Sequence, residues 1–133
     1  MEYETLIAEA RKVTGEFTLS KEWLSAGSCG AALLAANGQV YTGICLDLAC
    51  GIGFCAEHAA VAQMLKDRET RIIAVVATGD EGEIVPPCGR CRELMIQIDA
   101  ANVDTDVILA DDRVEKLHTL LPEHWLKGGE IEG

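Results

Sequence analysis

Two short stretches carry reactive side chains at spacings that suit a metal ion. One is Cys55-Ala56-Glu57; the other is Pro87-Cys88-Gly89-Arg90-Cys91. Cys88 and Cys91 are three apart, so in the first turn of a helix they share a face and can grip one ion. Cys55 opens a second helical pattern. Where two such helix starts converge, three thiolates surround a tetrahedral ion and leave its fourth corner open. Three protein ligands with one open position is the catalytic zinc arrangement, whereas four ligands would be structural. Sulfur donors in tetrahedral geometry point to Zn2+.

Three thiolates around a dication leave a net negative charge, which opposes ionisation of a bound water. Helix N-termini offset it, because each presents about half a positive charge and lowers thiol pKa values. Arg90, Arg92 or a protonated His58 would offset more. Glu57 lies two residues after a ligand, close to the open corner without needing to fill it. A carboxylate there can take a proton from water and deliver it to a leaving amine. Ligand-x-Glu followed by Pro-Cys-x-x-Cys is the signature of zinc deaminases.

These residues need helix starts, and the surrounding pattern supplies them. Residues 55–66 are Ala-rich and helical, with Ala56, Ala59 and Ala60 small enough for close packing on a sheet. Residues 88–98 place apolar side chains at 91, 94, 95 and 98, with Pro86-Pro87 ahead, and read as another helix. Residues 2–13 form an amphipathic first helix through Tyr3, Leu6, Ile7, Ala10 and Val13. Strands are expected at 29–36, 39–47, 71–77 and 107–110, and a short helix at 117–121. Asn37-Gly38 between the first two strands predicts a hairpin with a type I′ turn, both central residues at positive φ. The order α-ββ-α-β-α-β-α predicts an α/β fold, a mixed β-sheet sandwiched by helices.

Composition narrows the function. The chain has 133 residues, 49% apolar and 25% charged, which suits one globular domain. We expect a single domain over 1–127 and a fraying tail over 128–133. Asp and Glu outnumber Lys and Arg 22 to 11, a formal charge of −11. Such a chain repels polynucleotide phosphates, and six aromatics give few stacking platforms. The apolar runs fall well short of the roughly 18 residues a membrane span needs. Met1-Glu-Tyr-Glu4 is acidic, opposite to a secretory signal, so the expected compartment is the cytoplasm. Thiols stay reduced there, so six cysteines point to metal or catalysis before disulfides. Cys29, Cys45 and Cys50 read as core thiols, Cys45 with a possible place in the pocket wall, and His118 and His124 as surface residues.

The paired motifs resemble the cytidine deaminase family, and within it the blasticidin S deaminase-like members. Cys29-Gly-Ala-Ala-Leu-Leu34 followed by Asn37-Gly-Gln-Val-Tyr-Thr-Gly43 is similar to that family's first hairpin. Leu120-Leu-Pro122 and Trp125 are similar to its C-terminal helix and aromatic. The resemblance implies a three-layer αβα fold with a five-stranded sheet, to which residues 113–116 would contribute, and a homotetramer with active sites at subunit contacts. It implies one zinc per chain on Cys55, Cys88 and Cys91, with Glu57 as proton shuttle. It also implies a free cytosine nucleoside as substrate, cytidine, deoxycytidine or a blasticidin S-like analogue, with contacts from Cys45, Asp47, Ala56 and Trp125.

The chain departs from nucleoside-specific relatives beside the pocket. They carry Asn-x-Glu on the second strand, where this chain reads Cys45-Leu46-Asp47; Asp47 can still accept a sugar hydroxyl. The family's aromatic ahead of the first strand falls near Gly27, which removes a stacking partner there. His58 replaces an Arg common among relatives. Two other functions fit parts of the pattern. A thiol–disulfide oxidoreductase would use Cys88 and Cys91 but leaves Cys55 and Glu57 unused, and a zinc module without activity leaves only Glu57 unexplained. Deamination of another small aminated heterocycle also remains open.

Overall fold

The computed structural model describes residues 3–128; of the expected tail at 128–133, residues 129–133 lie outside them. Three layers form: one helix, a mixed sheet, and a second set of helices. The main strands are β2 (Ser25–Ala35), β3 (Val40–Asp47), β4 (Ile72–Thr78), β6 (Asp106–Ala110) and β7 (Arg113–Lys116). They lie in the order β3-β2-β4-β6-β7; β4 and β6 run parallel and every other neighbouring pair antiparallel. Two additional strands are only two residues long. β1 (Phe17–Thr18) pairs with the start of β2, and β5 (Ile84–Val85) with the end of β4. The sheet therefore has seven strands, where the residue pattern predicted four and the resemblance five. Two-residue strands are too short to show an alternating pattern.

Helix α1 (Glu4–Val13) covers one face through Leu6, Ile7 and Ala10, packed on Ala32, Ala74, Val76 and Ile108. Helices α2 (Ala56–Lys66) and α3 (Gly89–Ile98) cover the other. There Ala60, Val61, Met64, Met95 and Ile96 bury against Leu33, Val75 and Val107. Adjacent β2 residues Ala32 and Leu33 serve opposite layers, as the two-residue period of a strand requires. Helix α4 (Leu117–Leu120) follows β7. Among the described residues no helix is long and apolar enough to cross a membrane.

The β2–β3 hairpin forms, but not with the expected turn. Gly38 has φ +87° while Asn37 is not at positive φ. Gly38 N–H donates to Ala35 O at 2.9 Å, and Gln39 N–H donates to Asn37 Oδ1 at 2.9 Å. This is a three-residue loop ending in a left-handed glycine, the next most common hairpin connection.

Gly43 sets the approach of α2 to the sheet. A Cβ there would lie 2.5 Å from Ala59 Cβ and 2.5 Å from Ala60 N. Glycine on β3 facing alanines on α2 brings the N-terminus of α2 down onto the sheet. The far end of α3 is tied by buried Asn102. Its Nδ2 donates to Met95 O at 2.8 Å and Thr70 O at 3.0 Å, and its Oδ1 receives Ile72 N–H at 2.8 Å. Every hydrogen-bonding position of that amide is used, so burial carries little cost.

Candidate active site

Helices α2 and α3 start side by side, and each begins with a cysteine. Cys55 is the N-cap of α2 and Cys88 the N-cap of α3. Cys91 lies one turn into α3 and is fully buried. Cys55 Sγ is 3.4 Å from Cys88 Sγ, and Cys88 Sγ is 3.5 Å from Cys91 Sγ. All three sulfurs fall within 4.8 Å of one another. Tetrahedral Zn–S bonds of about 2.3 Å place sulfurs about 3.8 Å apart. The trio thus fits a zinc ion with little adjustment, and its donor chemistry suits that ion.

The thiols differ in how readily they ionise. Burial pushes Cys55 up to about 11, helped by the neighbouring Cys88. Burial and the Glu57 charge push Cys91 higher still. Cys88 goes the other way. Burial works against its thiolate, but backbone N–H groups of Cys91 and Arg90 and the adjacent thiols hold it below the ordinary value. Free N–H groups at a helix start provide that effect. A dication would bring the other two into their charged form.

Glu57 is 5% exposed, in the first turn of α2. Its Oε1 is 3.6 Å from Cys91 Sγ. Burial raises its pKa, partly opposed by a backbone N–H and by Cys91. His58 places Nδ1 3.6 Å from Cys91 Sγ, and its ring stacks on Phe54 with centroids 6.3 Å apart. Burial, then the Arg90 guanidinium, lowers the His58 pKa. Arg92 turns from the sulfurs: Nε donates to Pro87 O and Nη1 to Leu120 O, both at 2.9 Å. It clamps the loop that carries Cys88 to the end of α4.

The trio opens onto a cavity of about 670 Å³ whose walls include Cys55, Cys88 and Glu57. Of the expected contacts, Cys45, Asp47 and Ala56 line it. Trp125 does not; it is 59% exposed, and its backbone N–H points to the Glu93 carboxylate at 3.3 Å. The cavity also has two aromatics, Trp23 and Phe54, together with Ser28 and Arg90. Gly27 has no side chain to stack, but the cavity gains an aromatic from another position ahead of β2, the 68% exposed Trp23. It sits four residues before Gly27, and β2 begins at Ser25 rather than Cys29. An isolated tryptophan before a strand was the available signal. Cys50 also departs from its expected place: it is exposed, at φ +63° in the loop after β3. Cys45 is buried and Cys29 half-buried; His124 is half-buried and His118 exposed.

No family model matches the chain. Curated relatives do. A cytidine deaminase of Mycobacterium tuberculosis is 30% identical over 95 residues, 71% of this chain and 69% of that one. One of Sporosarcina psychrophila is 35% identical over 100 residues, 73% and 70% of the two chains. One of Halalkalibacterium halodurans is 35% identical over 83 residues, 62% of this chain but only 61% of its own length. Solved structures agree over nearly the whole fold. The Mycobacterium tuberculosis cytidine deaminase superposes with a TM-score of 0.78 at 25% identity, covering 94% of this chain and 98% of that one. That of Burkholderia pseudomallei gives 0.75 at 26%, covering 94% and 100%.

Proposed function

The chain belongs to the cytidine deaminase family, and from that membership we propose a zinc-dependent hydrolase that removes the amino group of a free cytosine nucleoside and releases ammonia. The observation that carries this reading is the convergence of three sulfurs and one buried carboxylate beside a cavity large enough for a nucleoside.

Cys55, Cys88 and Cys91 are the residues that would hold the zinc. A zinc ion held there would supply a Lewis acid able to activate water near neutral pH. Glu57 would accept one proton from the attacking water and deliver it to the ring nitrogen, then carry the remaining proton of the added hydroxyl to the amine, which leaves as ammonia with a carbonyl formed at the ring carbon. Its burial excludes bulk water from these transfers. Ala56 presents a small wall between ligand and shuttle, and Cys45 and Asp47 face the part of the substrate beyond the ring. Trp125, which does not line this chain's own cavity, would contact substrate across a subunit boundary in a homotetramer. We place the enzyme in the cytoplasm, where its six cysteines stay reduced and available to a metal.

Substrate is the open variable. Asp47 beside an aromatic at the cavity wall suits cytidine, deoxycytidine or a cationic analogue of the blasticidin S kind. Thiol–disulfide exchange at Cys88 and Cys91 has less support, because it gives no role to Cys55, whose sulfur lies 3.4 Å from Cys88. The test is an ammonia-release screen over cytidine, deoxycytidine, cytosine, blasticidin S, adenosine and guanine, with zinc measured on the same sample. Turnover of a cytosine nucleoside by protein holding about one zinc per chain supports the reading. Turnover of none, with thiol-dependent reductase activity instead, overturns it.

A further inference from the structure

Opposite the thiol trio, the cavity wall is built where β2 bulges away from β3. The register between them shifts across residues 26–30, so Gly27, Ser28 and Cys29 together face Cys45. The bulge aims Ser28 along the wall, where three hydrogen bonds join four residues. Cys29 N–H donates to Cys45 Sγ at 3.2 Å, Cys45 Sγ and Ser28 Oγ are 3.2 Å apart, and Ser28 Oγ donates to Asp47 Oδ2 at 3.2 Å. Ser28, Cys45 and Asp47 all line the cavity.

The direction of this chain follows from the proton inventory. A carboxylate only accepts, and a hydroxyl has one proton to give. The bond to the charged partner is the stronger, so the serine proton goes to Asp47. Ser28 can then only accept from Cys45, and the thiol proton is committed to the serine. One Asp47 oxygen is occupied, leaving Oδ1 for a ligand, and Asp47 makes no ion pair among the described residues. The Ser28–Cys45–Asp47 chain thus offers the cavity a fixed acceptor, with its own two side-chain protons already committed.

We propose that Ser28 is a positioning residue for substrate selection: with Cys45 donating to it, it fixes the Asp47 carboxylate so that the free oxygen receives a hydroxyl of the substrate's sugar. This rests on the nucleoside reading above. Ser28 acts through Asp47 and touches no reacting atom, so its removal affects sugar recognition rather than chemistry.

The experiment compares zinc-loaded wild type, Ser28→Ala, Ser28→Thr and Cys45→Ser on cytidine, 2′-deoxycytidine and 3′-deoxycytidine, reading kcat and KM separately. In wild type, deletion of one sugar hydroxyl raises KM. In Ser28→Ala, KM for cytidine rises about tenfold, equivalent to about 1.4 kcal/mol, kcat falls far less, and deletion of that same hydroxyl no longer matters. Ser28→Thr and Cys45→Ser, which keep the hydrogen-bond chain, retain discrimination. A Ser28→Ala penalty equal on all three substrates, or borne by kcat, overturns the positioning role while the nucleoside reading stands. If Ser28→Ala does not fold, loss of sugar discrimination in Ser28→Thr or Cys45→Ser has the same consequence. Wild type that turns over none of the three overturns both readings.

Discussion

Cys55 and Cys88, 33 positions apart in the chain, hold their sulfurs 3.4 Å apart at the N-caps of two helices. Neither serves as a side-chain cap for its own helix. An N-cap position normally goes to Ser, Thr, Asp or Asn because their oxygens satisfy the free N–H groups. Cysteine in both caps gives up that stabilisation and turns the positive ends of two helices towards one point.

Removing a buried ligand costs both metal and fold. Cys91→Ala leaves two sulfurs and a void in a fully buried site. Metal binding contributes directly to folding free energy. Zinc content by mass spectrometry falls to near zero, and the melting temperature drops to that of the chelator-treated wild type or lower.

Arg92→Ala leaves every ligand in place but releases Pro87 O and Leu120 O. Loss of an outer partner that orients a ligand typically lowers metal affinity about 10–100-fold. Competition with a chromogenic chelator should show a loss in that range. Affinity unchanged from wild type would remove Arg92 from the support of the site.

Gly43→Ala tests the contact that seats α2. The added methyl would lie 2.5 Å from Ala59 Cβ and from the Ala60 backbone, so the helix must rise. Overpacking of this kind costs about 1–3 kcal/mol, measurable by urea unfolding. The displacement carries Cys55 and Glu57 with it, so turnover falls along with stability.

A pH response is expected far from the site. Tyr3 Oη donates to Asp106 Oδ2 at 2.6 Å, and Lys116 Nζ pairs with Asp106 Oδ1 at 2.7 Å. Burial, then the Asp106 bond, raises Tyr3 from 10.0 to about 12. The folded state therefore retains that proton where the unfolded chain loses it. This contribution is complete below pH 10 and fades between 10 and 12. Burial works against the charged form of Asp106, but Lys116 and Tyr3 outweigh it and hold its pKa below the usual value. Its contribution is present above the ordinary carboxylate range and is lost as pH falls through the lowered value. Tyr3→Phe should cost about 1 kcal/mol at pH 7 and flatten the alkaline decline of stability.

What could be read beforehand followed from distance along the chain. The grouping of Cys88 with Cys91, and of Cys55 with Glu57, is local to a helical turn, so spacing alone gave it. That the two helix starts meet followed from the matching chemistry of their ligands. Ser28 was silent because strand register brings it to the cavity. The bulge between Ala26 and Gly30 sets three residues against Cys45, and Gly27, at φ +87°, is the glycine that permits it. Arg92 looked like a charge for the metal because it neighbours Cys91. Only the path of Pro87 and Leu120 shows why its guanidinium turns away. β1 and β5 were missed because a two-residue strand has no period.

The most direct test of the account is ammonia release from cytidine by wild type and Glu57→Gln, with zinc counted in the same tubes. The account predicts about one zinc per chain in both proteins and turnover reduced about 10²–10⁴-fold in the variant, the range for loss of a positioned proton carrier. Equal turnover in the variant, or active wild type without zinc, would contradict it.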